Sequence, residues 1–128
     1  MFGWDESKDS YDQVNNSDQD TASFGHEALA GAAGFGAMKV FEDQQRKKGE
    51  PVKHQFAKEL LAGFATAEVD KLAETKGEDW YREHGEKTKE RATEQANHLY
   101  DQHYGNGNDY DPNSQGPPQH FNGYDNNY

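Results

Sequence analysis

The stretch that decides the fold is Ser23-Phe-Gly-His-Glu-Ala-Leu-Ala-Gly-Ala-Ala-Gly-Phe-Gly-Ala-Met-Lys-Val-Phe41. Leu29, Ala30, Ala33, Ala37, Val40 and Phe41 recur at helical spacing and give the segment one apolar face. Ser23 suits the N-cap, and Glu27 suits the positive helix start. Arg46, Lys47 and Lys48 complement the negative end, and Gly49 can supply a left-handed C-cap. An echo follows thirty-two residues later, where Glu27-Ala-Leu-Ala-Gly-Ala-Ala becomes Glu59-Leu-Leu-Ala-Gly-Phe-Ala. Two helices built for close packing account for it; a helical solenoid needs more copies.

Working outward, Pro51 sits where a first-turn proline is tolerated and opens the second helix. Its apolar residues are Phe56, Ala57, Leu60, Leu61, Phe64, Ala65, Val69 and Leu72. So short a link folds the two helices back as an antiparallel hairpin. A turn centred near residue 50 brings Gly36 near Phe64 and Ala37 near Gly63, so that large faces small and Gly63 marks a close crossing. Gly77 punctuates, and a third helix starts near Glu78 with a thin stripe of Tyr81, His84, Thr88, Ala92, Gln95, Ala96 and Leu99. The expected fold is all-α: an antiparallel helical hairpin plus a third helix over residues 23–104. A disordered acidic arm (residues 1–22) and a disordered Gly/Asn/Tyr/Pro-rich tail (residues 105–128) flank it.

The charge distribution supports this division. Net charge is −11. Residues 1–23 carry six acids and Lys8, and residues 105–128 carry Asp109, Asp111 and Asp125 without Lys or Arg. Fifteen acids and twelve bases nearly balance in between. Mean hydropathy is −1.30, yet the apolar residues concentrate between Phe24 and Leu99, where a core can form. An acidic chain without a basic patch repels phosphate backbones, so nucleic acid is not an expected partner. Anionic membrane surfaces are disfavoured likewise. The longest apolar run, Ala28 to Met38, is too short to span a bilayer, so membrane insertion is not expected. The chain has no cysteine, which removes disulfides and thiolate metal sites and suits a reducing cytoplasmic location. Met1-Phe-Gly-Trp-Asp-Glu6 lacks a basic and an apolar signal region, which argues against classical secretion.

No pattern of residues announces catalysis. His26 beside Glu27 could serve as a base or a ligand, but a histidine at a helix start more often makes a local cap. His98 and His103 are five apart, which misses the spacing that puts two imidazoles on one helical face. His54 and His84 have no partner in sequence. Gly31, Gly34 and Gly36 match neither the phosphate-loop nor the dinucleotide-binding spacing. Gly-x-Ser-x-Gly and His-Glu-x-x-His are absent. Catalytic, cofactor and metal residues are therefore assigned to none. Helix-packing or interface candidates are Ala28, Ala32, Phe35, Gly36, Met38, Gly63 and Phe64. Ala28, Ala32 and Gly36 form one small-residue row, and Phe35 with Met38 forms an edge.

His26-Glu-Ala-Leu-Ala-Gly-Ala-Ala-Gly-Phe-Gly-Ala-Met-Lys-Val-Phe-Glu42, with Lys58-Glu-Leu-Leu-Ala-Gly-Phe-Ala65 and Asp70-Lys-Leu-Ala-Glu-Thr-Lys-Gly77, resembles the fungal CipC-like family. Gly3-Trp4 and Tyr11-Asp12-Gln13 resemble that family's start. The family is named for induction by the antibiotic concanamycin, and its domain has no assigned function. The likeness covers about residues 1–100 and is looser in the third helix; the C-terminal tail departs from it. It implies a fungal source and an intracellular, stress- or antibiotic-responsive protein. It carries no catalytic residue across.

The leading expectation is a non-enzymatic stress-response protein acting through helix-mediated protein contacts. A small domain with so thin a core gains from self-association, so a homodimer is expected, unless an unidentified protein partner takes its place. The alternative is a hydrophilin-like protectant, suggested by high hydrophilicity and by Glu86-Lys-Thr-Lys-Glu-Arg-Ala-Thr-Glu-Gln-Ala96. A third is a small metal-dependent or hydrolytic enzyme using His26 or His84.

Overall fold

The computed structural model describes residues 3–16, 26–105, 109–111, 116 and 121. Among them the order is α1 (Trp4–Asn16), α2 (His26–Lys48), β1 (Val52–Lys53), α3 (His54–Lys76), α4 (Glu78–Tyr104) and β2 (Asp109–Tyr110). The fold is all-α apart from that single two-stranded pairing.

α2 is the central element and packs against α1, α3 and α4. Every residue from Leu29 to Met38 is buried. Gly and Ala all round a helix let three neighbours approach it, which a one-sided apolar stripe could not serve. The helix ends where its basic last turn meets Gly49, whose φ of 69° is left-handed and whose N–H bonds the Gln45 carbonyl at 2.9 Å. Gly77, with φ 98°, breaks α3 from α4 in the same way.

Residues 1–22 read as a disordered arm, but Trp4–Asn16 is a helix packed on α2. Asp5 and Glu6 occupy its first turn, where the helix dipole favours acids, and Lys8 pairs with Asp12 at 2.9 Å. Its inward residues are Trp4, Ser7 and Tyr11, one face at helical spacing. The Trp4 indole N–H donates to the Leu99 carbonyl at 3.1 Å, and Gln95 Nε2 donates to Ser7 Oγ at 2.9 Å. These pairings run α1 antiparallel to α4. Among the described residues the fold is therefore four helices rather than a hairpin plus one. Residues 17–22 and Ser23, the expected N-cap, lie outside the described residues.

The α2–α3 hairpin forms, one turn out of its expected register. Gly36 meets the Glu68 carboxyl group rather than Phe64; a Cβ there would lie 3.1 Å from Glu68 Cδ. Pro51 does not open α3, because Val52 and Lys53 first pair with Tyr110 and Asp109 in an antiparallel ladder. That moves the turn's centre along the chain. The close crossing is also displaced: Gly34, not Gly63, sits tight against a neighbour. A Cβ on Gly34 would fall 2.8 Å from Gln95 Cγ and 3.1 Å from the Ala96 amide nitrogen. Gly63 faces solvent, with nothing within 4 Å of an added Cβ.

Of the tail expected over residues 105–128, the described part includes Tyr110 and Phe121, both buried. Phe121 packs edge-on to Trp4 and Phe35, with ring centroids 5.4 and 4.9 Å away. Most of the remainder lies outside the described residues.

Candidate functional site

The densest polar cluster lies where α2 and α4 end together. Glu42 is fully buried there. Its Oε2 accepts from Arg46 Nε at 2.7 Å, one helical turn on. The Tyr104 hydroxyl donates to Glu42 Oε1 and accepts from Arg46 Nη2 at 3.0 Å. Tyr110 closes the cluster: its ring lies 4.9 Å from Phe41 and 5.0 Å from Tyr104, with the Arg46 guanidinium 5.9 Å from its centre. The β1–β2 ladder holds Tyr110 in place by pairing it with Val52. Beside it, His54 Nδ1 and the Tyr100 hydroxyl are hydrogen-bonded at 2.6 Å.

Burial raises the Glu42 carboxyl above the usual carboxylate range, against the opposing pull of the Tyr104 hydrogen bond and the Arg46 charge. Burial and then the Glu42 charge push the Tyr104 hydroxyl well above a phenol's ordinary value. Burial alone would lower Arg46, but the Glu42 charge, with Tyr104 and Tyr110 added to it, outweighs burial and keeps the guanidinium protonated. A buried pair of this kind adds little net stability over an apolar isostere, yet removing one partner costs about 3–5 kcal/mol. No oxygen of Glu42 reaches solvent, and the cluster joins two helix ends to the following strand.

A second polar group lies on the outside of α3 and α4. The Tyr81 hydroxyl donates to Asp70 Oδ1 at 2.8 Å and accepts from Lys89, which also pairs with Asp70 at 3.2 Å. The Tyr81 hydrogen bond, with Lys89 behind it, holds the Asp70 carboxyl below its usual value. An open groove of about 640 Å³ beside it is lined by Asp70, Glu74, Glu78, Tyr81, Arg82 and Glu86. Its lining is mostly acidic, which disfavours phosphate-bearing ligands there.

The interface candidates read from sequence separate into two sets. Ala32, Phe35, Gly36 and Met38 are buried inside the protomer, and Ala28 is half-buried. That takes the Ala28/Ala32/Gly36 row and the Phe35/Met38 edge away from any seam between copies, because α1, α3 and α4 already cover α2. Gly63 and Phe64 lie on α3, exposed and half-buried respectively. Phe56, 58% exposed, and exposed Ala67 share the outward side of α3 with Gly63, whereas Leu60 and Phe64 border it and pack partly against the core.

Among the described residues the histidines do not converge. His84 sits 3.6 Å from Glu83 and near the Trp80 ring, and His103 Nε2 lies 3.0 Å from the Gly116 carbonyl oxygen. The His26 side chain lies outside the described residues. Among the described residues no three His, Asp or Glu side chains gather closely enough to hold a metal, and no helix is long and apolar enough to cross a membrane. The Glu42–Arg46–Tyr104 cluster went unread in the sequence. Its signal was the four-residue spacing of Glu42 and Arg46, which ordinarily marks a solvated surface pair.

A family model described as Virulence factor CipC-like matches residues 10–103. No curated protein and no solved structure matches the chain.

Proposed function

The chain belongs to the Virulence factor CipC-like family, and from that premise we propose a non-enzymatic protein that acts through contacts made by the outward face of α3. The observation that carries this reading is Phe56, the large hydrophobic side chain that stays exposed among the described residues. Exposed Gly63 and Ala67 share that side of α3, and the half-buried Leu60 and Phe64, which also pack against the core, border it at helical spacing. The polar groups with the strongest shifts support the same reading, since Glu42, Arg46 and Tyr104 are engaged with one another and shielded from solvent. A core of buried aromatic and aliphatic side chains favours a folded module over a hydrophilin-like protectant. The stress- or antibiotic-responsive role and a cytoplasmic location belong to the same proposal and rest on the family likeness.

The test is a photoreactive phenylalanine analogue at Phe56, with the same group at exposed Glu90 on α4 as control, irradiated in cells that express the protein. Covalent protein adducts at Phe56 in excess of those at Glu90 are expected. Equal yields at both positions would contradict the reading.

A further inference from the structure

We propose that Trp4 and Phe35 wall a docking pocket for one aromatic ring, and that this chain's own Phe121 fills it as a removable plug. The plug is 1% exposed. It meets Trp4 of α1 and Phe35 of α2 edge-on, with ring centroids 5.4 and 4.9 Å away, an arrangement that aromatic rings prefer. Tyr11 lies 5.0 Å from the same Phe35 ring, and His103 of α4 lies 6.4 Å from Trp4. The sequence around the plug is polar, Gly116-Pro-Pro-Gln-His-Phe-Asn-Gly123. One ring therefore carries the apolar burial that this segment can offer. Burying one such side chain favours the seated state by about ten- to a hundredfold, which leaves an open minority.

The β1–β2 ladder does not force the ring into place. Tyr110 sits against Phe41, and Phe121 sits against Phe35. Those two α2 residues are about 9 Å apart along the helix. The chain from Tyr110 to Phe121 can reach about 35 Å when extended. That slack lets the ring leave while Tyr110 stays paired with Val52. His103 Nε2 donates to the carbonyl of exposed Gly116 at 3.0 Å. From that tether a departed ring stays within about 17 Å of chain. Phe35 lies within the segment that the family model matches, and Phe121 lies beyond it. The floor of the pocket thus belongs to the matched helices, and the plug does not. With the plug out, Trp4 and Phe35 present an aromatic surface suited to a polar peptide that carries one aromatic side chain. The tail is the intramolecular occupant of that surface.

The full chain carrying para-fluorophenylalanine at position 121 separates a plug from a core residue. Its fluorine resonance is followed in urea beside far-ultraviolet circular dichroism of the same sample. The resonance should reach its solvent-exposed position at urea concentrations that leave the helices intact. Coincident transitions overturn the inference, because the ring then opens only with the whole fold. Trp80→Phe leaves Trp4 as the remaining tryptophan of the chain. In that background Phe121→Ala should raise acrylamide quenching of Trp4 severalfold, with a circular dichroism melt close to the parent's. The peptide Gln119-His-Phe-Asn-Gly123, at the millimolar level that a short tether supplies, should reverse the rise. The same peptide with alanine in place of Phe121 should not. Quenching that Phe121→Ala leaves unchanged overturns the pocket, as does a rise that both peptides or neither reverse. A bundle unfolded by Phe121→Ala overturns the plug.

Discussion

Trp4 and Leu99 stand 95 positions apart, yet the indole N–H of the first donates to the backbone carbonyl of the second at 3.1 Å. The bond ties the first turn of α1 to the last turns of α4, in a cluster where Trp4 also meets Phe35 at 5.9 Å. Ser7 and Gln95 repeat the connection one turn on.

Trp4→Ala should therefore destabilise the whole bundle rather than fray one end. The expected cost is about 3 kcal/mol, from lost aromatic burial and the lost indole hydrogen bond to α4. Urea unfolding followed by far-ultraviolet circular dichroism measures it. A shift of less than 0.5 kcal/mol, on the order of a surface substitution, would mean that α1 rests loosely on its neighbours.

Gly34 and Gly63 should respond oppositely to alanine. A methyl group on Gly34 meets Gln95 Cγ at 2.8 Å and the α4 backbone at 3.1 Å. Gly34→Ala should cost about 1–3 kcal/mol through overpacking. Gly63→Ala meets nothing and should stabilise α3 by roughly 0.5–1 kcal/mol through helix propensity. Thermal melts of the two variants decide it, and a stabilised Gly34→Ala would remove the close α2–α4 approach from this account.

Much of this was legible in the sequence, and the failures are specific. The α2 end at Gly49 and the break at Gly77 follow from glycine's tolerance of a left-handed backbone, a local property that needs no partner. Which glycine marks the close crossing is not local. Gly34 and Gly63 lie in echoing Leu-Ala-Gly helices, and only the number of neighbours separates them: α2 is enclosed by three helices, whereas α3 keeps an outward face. α1 was missed because the inward residues described on it, Trp4, Ser7 and Tyr11, are set among acids and amides. Its stability comes from α2 and α4, which local composition cannot report. Glu42 was missed for a related reason, since an i,i+4 pair reads as solvated until Tyr104 and Tyr110 close over it.

The Glu42 cluster predicts a pH dependence of stability. Burial raises the folded-state carboxyl above its ordinary value of 4.5. Just above that value the folded chain holds more protons than the unfolded one, so Glu42's contribution to stability is greatest at low pH and declines as pH rises through the raised value. Glu42→Gln removes that slope and leaves Arg46 without its counter-charge. Urea midpoints of the two proteins between about pH 4 and pH 8 should lie closest at the acid end, where protonated Glu42 and Gln are both neutral, and separate as pH rises. Parallel profiles across the range would show that Glu42 ionises as freely folded as unfolded.

The most direct measurement of the central claim uses the chain's lack of cysteine. A nitroxide placed by Ala67→Cys sits alone on the outward face of α3, and a second preparation labelled at Glu90→Cys serves as control. Continuous-wave spectra of each label are recorded in dilute buffer and again in extract of cells that express the protein. The label at position 67 should lose mobility in the extract, and the label at position 90 should not. Unchanged mobility at position 67, or the same loss at both positions, would contradict the account.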